Sequence, residues 1–161
     1  MATSSLAKEI RKRHPFASRE EEVYLNLWRT FARLSEGTER LLRERGLCTT
    51  HYNILRILAG EKAGGNAALP ALEVRRRLIT PVPDITRLVD KLVQMGLLSR
   101  VRDASDRRVV LLSITPRGER LAEELAGPIA AMHRSQLGHM TPKDLTHLSA
   151  LLQQARAKQN D

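Results

Sequence analysis

Aromatic side chains are scarce in this chain. Trp, Tyr and Phe together make up 3% of its 161 residues. The core must therefore be filled by Leu, Val, Ile and Ala. A single cysteine, Cys48, excludes an intramolecular disulfide framework and suits a reducing compartment. No apolar run approaches the roughly 20 residues that span a bilayer. The opening MATSSLAKEIRKRH lacks the apolar stretch and small-residue cleavage site of a secretion signal. A cytoplasmic location without a membrane partner is the expectation. His14, His51, His133, His139 and His147 show neither the i, i+4 spacing nor the Cys/His pairing of a metal motif, and read as ordinary surface or interface residues. Nucleophile motifs, phosphate-cradling glycine loops and convergent acid pairs are missing too. Neither a cofactor nor an enzymatic activity is expected.

What the chain has is positive charge, unevenly placed. The formal net charge is +9. Residues 75–120 carry 11 Lys/Arg against 5 Asp/Glu, whereas residues 121–161 carry 4 of each. A concentration of this kind is either a solvated basic face or the footprint of an acidic polymer.

Hydrophobic periodicity predicts a mainly α protein with a small β-hairpin. Residues 1–18 read as a basic arm or a short helix that docks only on a partner. A long helix follows from Arg19, with Ser18 as N-cap, and carries the stripe Val23, Leu27, Phe31, Leu34, Thr38 and Leu41 as far as a stop at Gly46. A second helix starts at Thr49 or Thr50 and ends at Gly60. A short helix spans Pro70 to Leu78, and another Pro83 to Met95, with Gly96 as its stop. The period then changes to two strands, Leu98 to Arg102 and Arg108 to Ile114. Thr115-Pro116 and Thr141-Pro142 open two last helices, the first with a kink expected at Gly127-Pro128. The terminal helices are too long and too apolar for the central lobe to cover, which is the cue for a two-fold interface. Four segments result: the arm, 1–18; an N-terminal helix shared with a dimer interface, 19–46; a compact lobe, 47–115; and C-terminal dimerisation helices, 116–161.

Two short helices joined by a tight turn and followed by a basic hairpin make a helix-turn-helix with a wing. The second helix of such a pair enters the major groove of double-stranded DNA. Here that helix begins at Pro83 and presents Asp84, Thr86, Arg87 and Lys91. Arg87 can hold a guanine edge through two hydrogen bonds, Thr86 can bond a base or touch a thymine methyl, and Lys91 suits phosphate. Asp84 is either a helix-start stabiliser or an acceptor for a cytosine amino group. In the wing, Arg102, Arg107 and Arg108 are either exposed surface charges or minor-groove contacts, with Arg107 at the tip. Asp106 is expected to orient an arginine by a paired contact. Arg75, Arg76 and Arg77 either complement a helix C-terminus or approach phosphate. Two rival readings stay open: a sequence-neutral, chromatin-like DNA binder, and a winged helix that binds protein.

Several segments resemble the MarR family of bacterial regulators. They are Tyr52 to Leu58, Asp84 to Leu92, Gly96-Leu97-Leu98, Asp106-Arg107-Arg108-Val109 and Ile114-Thr115-Pro116-Arg117-Gly118. The ordered set covers about residues 20–155. The resemblance implies a homodimeric repressor of a pseudo-palindromic operator, relieved by a small-molecule effector or an oxidant. It also implies an effector pocket for which Tyr24, Trp28, His51 and Tyr52 are candidates, core packing being the other reading of these four. Cys48 does not match the family's sensing position and reads as a small buried or half-buried thiol.

Overall fold

The computed structural model describes residues 5–157. In chain order the elements are α1 (Ser5–Glu9), α2 (Arg19–Arg43), α3 (Thr49–Ala63), β1 (Leu69–Pro70), α4 (Ala71–Arg76), α5 (Thr86–Gln94), β2 (Leu98–Arg102), β3 (Val110–Ile114), α6 (Pro116–Leu137) and α7 (Pro142–Ala157). The chain divides into two compact units between Leu41 and Leu42. Residues 1–4 of the basic arm and residues 158–161 of the C-terminal segment lie outside the described residues.

The first unit holds α1 and most of α2. Ser18 caps α2 as its spacing predicts, its Oγ accepting the Glu21 N–H at 3.2 Å. The arm differs from expectation. It does not wait for a partner, because Leu6 and Ala7 are buried within this chain. Leu6 and Ile10 line a groove with Leu25, Trp28 and Ala32 of α2. Ion pairs from Lys12 to Glu21 at 3.5 Å and from Arg29 to Glu9 at 3.8 Å flank that contact.

The second unit begins where α2 stops. Gly46 adopts φ +69°, which lets the Leu47 N–H return to the Leu42 carbonyl at 2.9 Å. α3 runs one turn beyond Gly60, to Ala63. The reason is tertiary: Glu61 pairs with Arg77 of the next connection, and Lys62 with Glu119 of α6 at 2.8 Å. Propensity alone stops at the glycine. α3 then packs on α4, α5, α6 and β3, with Ile54 and Leu55 wholly buried.

The wing is a sheet of three strands, not two, in the order β1-β3-β2 and antiparallel throughout. The additional strand β1 has two residues, and Leu69 pairs with Leu112. Pro70 ends it and serves as the N-cap of α4. β2 pairs with β3 from Leu98↔Ile114 to Arg102↔Val110, so β3 begins at Val110, with Arg108 and Val109 in the loop.

Thr115 caps α6 as expected, its Oγ1 accepting the Gly118 N–H at 3.1 Å. Thr115 also bonds backward: its N–H reaches the Leu97 carbonyl at 3.1 Å and its hydroxyl the Gly96 carbonyl at 2.8 Å. Gly118 completes this joint, because a Cβ there would stand 2.2 Å from the Leu97 oxygen. α6 continues helically through Pro128 and buries Ala122, Leu125 and Ile129. At α7 the Asp144 N–H bonds Thr141 Oγ1 at 3.2 Å, but the helix buries no residue in this chain.

The close approach at Gly118 makes a test of the joint. Gly118→Ala is expected to lower stability by about 1–3 kcal/mol, the usual effect of overpacking. At Gly60 an added Cβ meets nothing within 4 Å. Gly60→Ala is therefore expected to raise stability by roughly 0.5–1 kcal/mol. Urea unfolding midpoints check both.

Candidate nucleic-acid interface

The face that the sequence assigns to DNA is built from α5, the connection before it and the wing. α5 buries Val89 and Leu92, with Ile85 just ahead of it also buried, and exposes Thr86, Arg87, Lys91 and Gln94. The helix starts at Thr86, not at Pro83. Proline restrains Val82 to extended backbone, and Asp84 then takes the Thr86 N–H with its own carboxylate at 2.8 Å, an Asx turn that competes with helical bonding. Asp84 is thus a helix-start stabiliser, and the Thr86 hydroxyl and N–H hold its carboxyl below the usual carboxylate range. Pro83 stands ahead of the helix, and its carbonyl accepts Arg75 Nη1 at 3.4 Å. The connection from α4 to α5, residues 77–85, is longer than the tight turn expected, and α3 holds it through Asn53 Oδ1, which accepts the Ile79 N–H at 2.9 Å.

The three consecutive arginines differ in their surroundings. Arg76 pairs with Glu73 at 2.5 Å and Arg77 with Glu61. Arg75 bridges to the α5 approach through Pro83, as described above. Dipole complementation at the end of α4 is compatible with all three.

The decisive contact is the ion pair between Asp90 of α5 and Arg100 of β2. Asp90 lies three residues after Arg87, on the same helix face. Arg100 lies two residues before Arg102, on the same strand face. One carboxylate thus joins the helix face bearing Arg87 to the sheet face bearing Arg102. The sequence reading missed this pair. The available signal was weak: an acidic residue on an otherwise basic helix, ten positions from its partner.

The wing loop is organised by two aspartates. Asp103 Oδ1 accepts the N–H groups of Ser105 at 2.7 Å and Asp106 at 3.0 Å, as well as the Ser105 hydroxyl. These bonds, the hydroxyl's first, hold its carboxyl below the usual range. Asp106 does not orient an arginine side chain. Its carboxylate accepts the Arg108 backbone N–H at 2.9 Å instead, because the short loop turns that N–H inward. Arg102, Arg107 and Arg108 remain exposed.

The candidate effector residues fall into two pairs. Tyr24 and Trp28 meet edge to face on α2, centroids 6.3 Å apart, and each is 65% exposed. His51 and Tyr52 follow one another on α3. His51 is buried, in keeping with the core-packing reading and not with a surface or interface residue, and Cys48 is exposed where a buried or half-buried thiol was expected. Both outcomes follow from the helix start. Cys48 occupies the N-cap and faces solvent, while His51 Nδ1 turns back to accept the Cys48 N–H at 3.1 Å. Nε2 is buried without a partner among the described residues. Those residues contain no group of three or more His, Cys, Asp or Glu able to hold a metal ion. Nor do they contain a helix long and apolar enough to cross a membrane.

Comparison with known proteins decides the family. Residues 38–125 match the family model of the transcriptional regulators SarA/Rot. A MarR transcription factor from Planctomyces limnophilus is 35% identical, with 86% of this chain and 98% of that one covered and a TM-score of 0.66. The chain belongs to the MarR family of transcriptional regulators. The repressor MdtR of Bacillus subtilis is 29% identical over 138 residues, covering 83% of this chain and 85% of that protein. The fold is also that of MepR from S. aureus, solved as a complex with DNA, at 18% identity, 84% and 97% coverage and a TM-score of 0.73. The MarR resemblance seen in the sequence is borne out, and so is the winged-helix fold class.

Burial of His51 makes the stability of this MarR-family protein pH-dependent in a calculable direction. Desolvation, with a smaller effect of the Lys91 charge, pushes the imidazole below 6.5. The unfolded chain therefore takes up this proton first as pH falls. The stabilisation is full above about pH 6.5, declines below it, and levels off once the folded imidazole also protonates. Urea midpoints at about pH 7.5 and about pH 5.5 should show a decline in the native protein that is reduced in His51→Gln. Equal declines in both proteins would assign the dependence to other groups.

Proposed function

We propose that the protein is a cytoplasmic homodimeric repressor that reads a pseudo-palindromic operator. In this reading α5 lies in the major groove with Thr86 and Arg87 toward base edges. Lys91 and the Arg75 to Arg77 cluster approach phosphates, Arg76 and Arg77 exchanging their carboxylate partners for them. Arg102, Arg107 and Arg108 of the wing reach toward the adjacent minor groove. Pro83 and Asp84 shape the start of the helix rather than touch bases. No residue is assigned a catalytic step. The observation that carries the reading is the Asp90–Arg100 pair, which aligns the Arg87 face of α5 with the Arg102 face of β2. Kinship with a MarR transcription factor and with MdtR, a repressor, supports it. The DNA held by MepR supports the choice of ligand.

Dimerisation is supported by apolar surface that the single chain leaves open. On α2, Val23, Tyr24, Trp28 and Phe31 are each more than half exposed. On α7, Leu148 and Leu151 are exposed as well. Contiguous apolar surface of this kind marks an interface. Two-fold symmetry would set the paired α5 helices about 34–36 Å apart, one turn of duplex. Relief by a small molecule, with Tyr24, Trp28, His51 and Tyr52 as contributors, is part of the same reading.

Selection of bound duplexes from a random pool tests sequence reading and half-site spacing together. Arg87→Ala is expected to weaken the selected duplex by about 1–3 kcal/mol and to relax preference at one base per half-site. Arg107→Ala should weaken all duplexes alike and lower the salt dependence. Equal affinity of the native protein for every duplex at fixed salt would instead establish a sequence-neutral binder. Retained DNA binding and repression after both substitutions would favour a protein partner. Removing residues 141–161 should convert the dimer to a monomer in sedimentation velocity. A stable truncated dimer would locate the interface elsewhere.

A further inference from the structure

The connection between α4 and α5 is stiff, and one side chain anchors its root. Leu78 and Ile85 are buried at its two ends. Between them runs Ile79-Thr80-Pro81-Val82-Pro83-Asp84. The two prolines fix their own φ angles and restrain Thr80 and Val82 to extended backbone. Prolines at alternate positions make a semi-rigid spacer, so a displacement at one end is passed to the other. Lacking N–H groups, they also leave only four of the six residues able to donate a backbone hydrogen bond. Among the described residues, two side chains of other elements bond this segment. Asn53 Oδ1 of α3 accepts the Ile79 N–H at 2.9 Å, and Arg75 of α4 donates to the Pro83 carbonyl at 3.4 Å. The second bond is long, and Arg75 is one of the cations assigned to phosphate under the proposed function. The first is independent of any partner. Asn53 itself stands on a fixed base: Ile54 and Leu55, which follow it, are wholly buried, and α3 packs on α4, α5, α6 and β3. The Ile79 side chain is 86% exposed. Apolar packing therefore does not hold Ile79 in place, and the hydrogen bond from α3 does.

We propose that Asn53 is a positioning residue for DNA recognition: it sets where α5 begins, and through that where Thr86 and Arg87 meet base edges. This role rests on α5 being the helix that reads the duplex. Asn53 touches no base. Without its oxygen the Ile79 N–H turns to water, and the root of the connection gains freedom. The stiff segment carries that freedom to Asp84 and the first turn of α5. A bidentate contact to a base edge needs a fixed geometry, whereas a phosphate contact tolerates displacement. Loss of the Asn53 oxygen therefore lowers selectivity between duplexes more than it lowers affinity for duplexes in general. A side chain that served stability alone would leave the selectivity of the folded protein untouched.

The test compares, for the full chain at fixed salt, affinity for the duplex selected from the random pool with affinity for a scrambled duplex of equal length. Asn53→Leu keeps the branched shape and removes the acceptor. Its ratio of the two affinities is expected to fall about three- to tenfold, the range that one hydrogen bond commands. Asn53→Asp keeps an oxygen in place and should retain the native ratio. Its added charge weakens both duplexes alike, since the phosphate contribution is independent of sequence. Amide exchange at Ile79 should quicken in Asn53→Leu and stay slow in Asn53→Asp. Asn53→Ala is the second variant without an acceptor, used should leucine disturb the circular dichroism. A native ratio kept in the variants without an acceptor overturns the proposal, as does a ratio lost equally in Asn53→Asp. Unaltered exchange at Ile79 in Asn53→Leu would show that the bond holds nothing and overturns it as well. A native protein that fails to distinguish the two duplexes overturns the operator reading and this role with it. A selective native protein that is insensitive to Asn53 overturns this role alone.

Discussion

The DNA-facing lobe is referenced to one backbone carbonyl. Leu97 accepts from the Thr115 N–H and from the Thr115 hydroxyl, both at 3.1 Å, and Gly118 leaves room for α6 to settle against that oxygen. Gly96, in the left-handed region at φ +69°, turns the chain sharply out of α5 so that Leu97 can present its carbonyl there. α5 enters this turn, β2 leaves it, and α6 starts beside it. The directions of α5, the wing and α6 therefore share an origin of three residues. Leu97 itself is buried, so water does not compete for these bonds, and their loss would leave polar groups unsatisfied.

The acidic residues of the basic region are used sparingly and to one end. Asp84 starts α5, Asp90 ties it to β2, Asp103 folds the wing loop and Asp106 closes it. A carboxylate facing a duplex is repelled by phosphate. Each of these is instead satisfied by backbone N–H groups or a guanidinium, which lowers its availability to the partner. The same bonds tie down the backbone beside Arg87, Arg107 and Arg108. An arginine on a preorganised loop loses less entropy on binding than one on a mobile loop. The charge excess of residues 75–120 understates what the acids contribute.

Much of this was legible in the sequence because it is local. Ser18, Gly46, Gly96, Thr115-Pro116 and Thr141-Pro142 punctuate the helices within one turn of where they stand, and each works as its chemistry requires. What escaped depends on partners distant in sequence. The last turn of α3 is held by Arg77 and Glu119. β1, two residues ending in proline, is a strand through its pairing with β3. The Asp90–Arg100 bond needs the packed α5–β2 pair before it can exist. The start of α5 was a contest between two local rules: proline favours the first helical position, but the Asx turn at Asp84 delays the helix to Thr86. Which rule wins depends on where the preceding connection enters, and Asn53 and Arg75 fix that.

The helices beyond the lobe obey a different constraint. α7 has 16 residues and buries none of them in this chain. An isolated helix of that length is marginal in water, since most helical stability in proteins comes from packing an apolar face. Leu148 and Leu151 therefore call for a surface that the single chain does not supply, and in the proposed dimer a second copy supplies it. The lobe can fix the angle between α5 and its wing, but not the separation of two such helices. In the proposed dimer that distance is set by the apolar helices. Under the proposed function, affinity for a half-site and spacing of half-sites would be carried by different residues with different chemistry: arginines on stapled loops for the first, leucines and aromatics on open helix faces for the second. A ligand that altered only the second could abolish operator binding without touching a single contact to DNA.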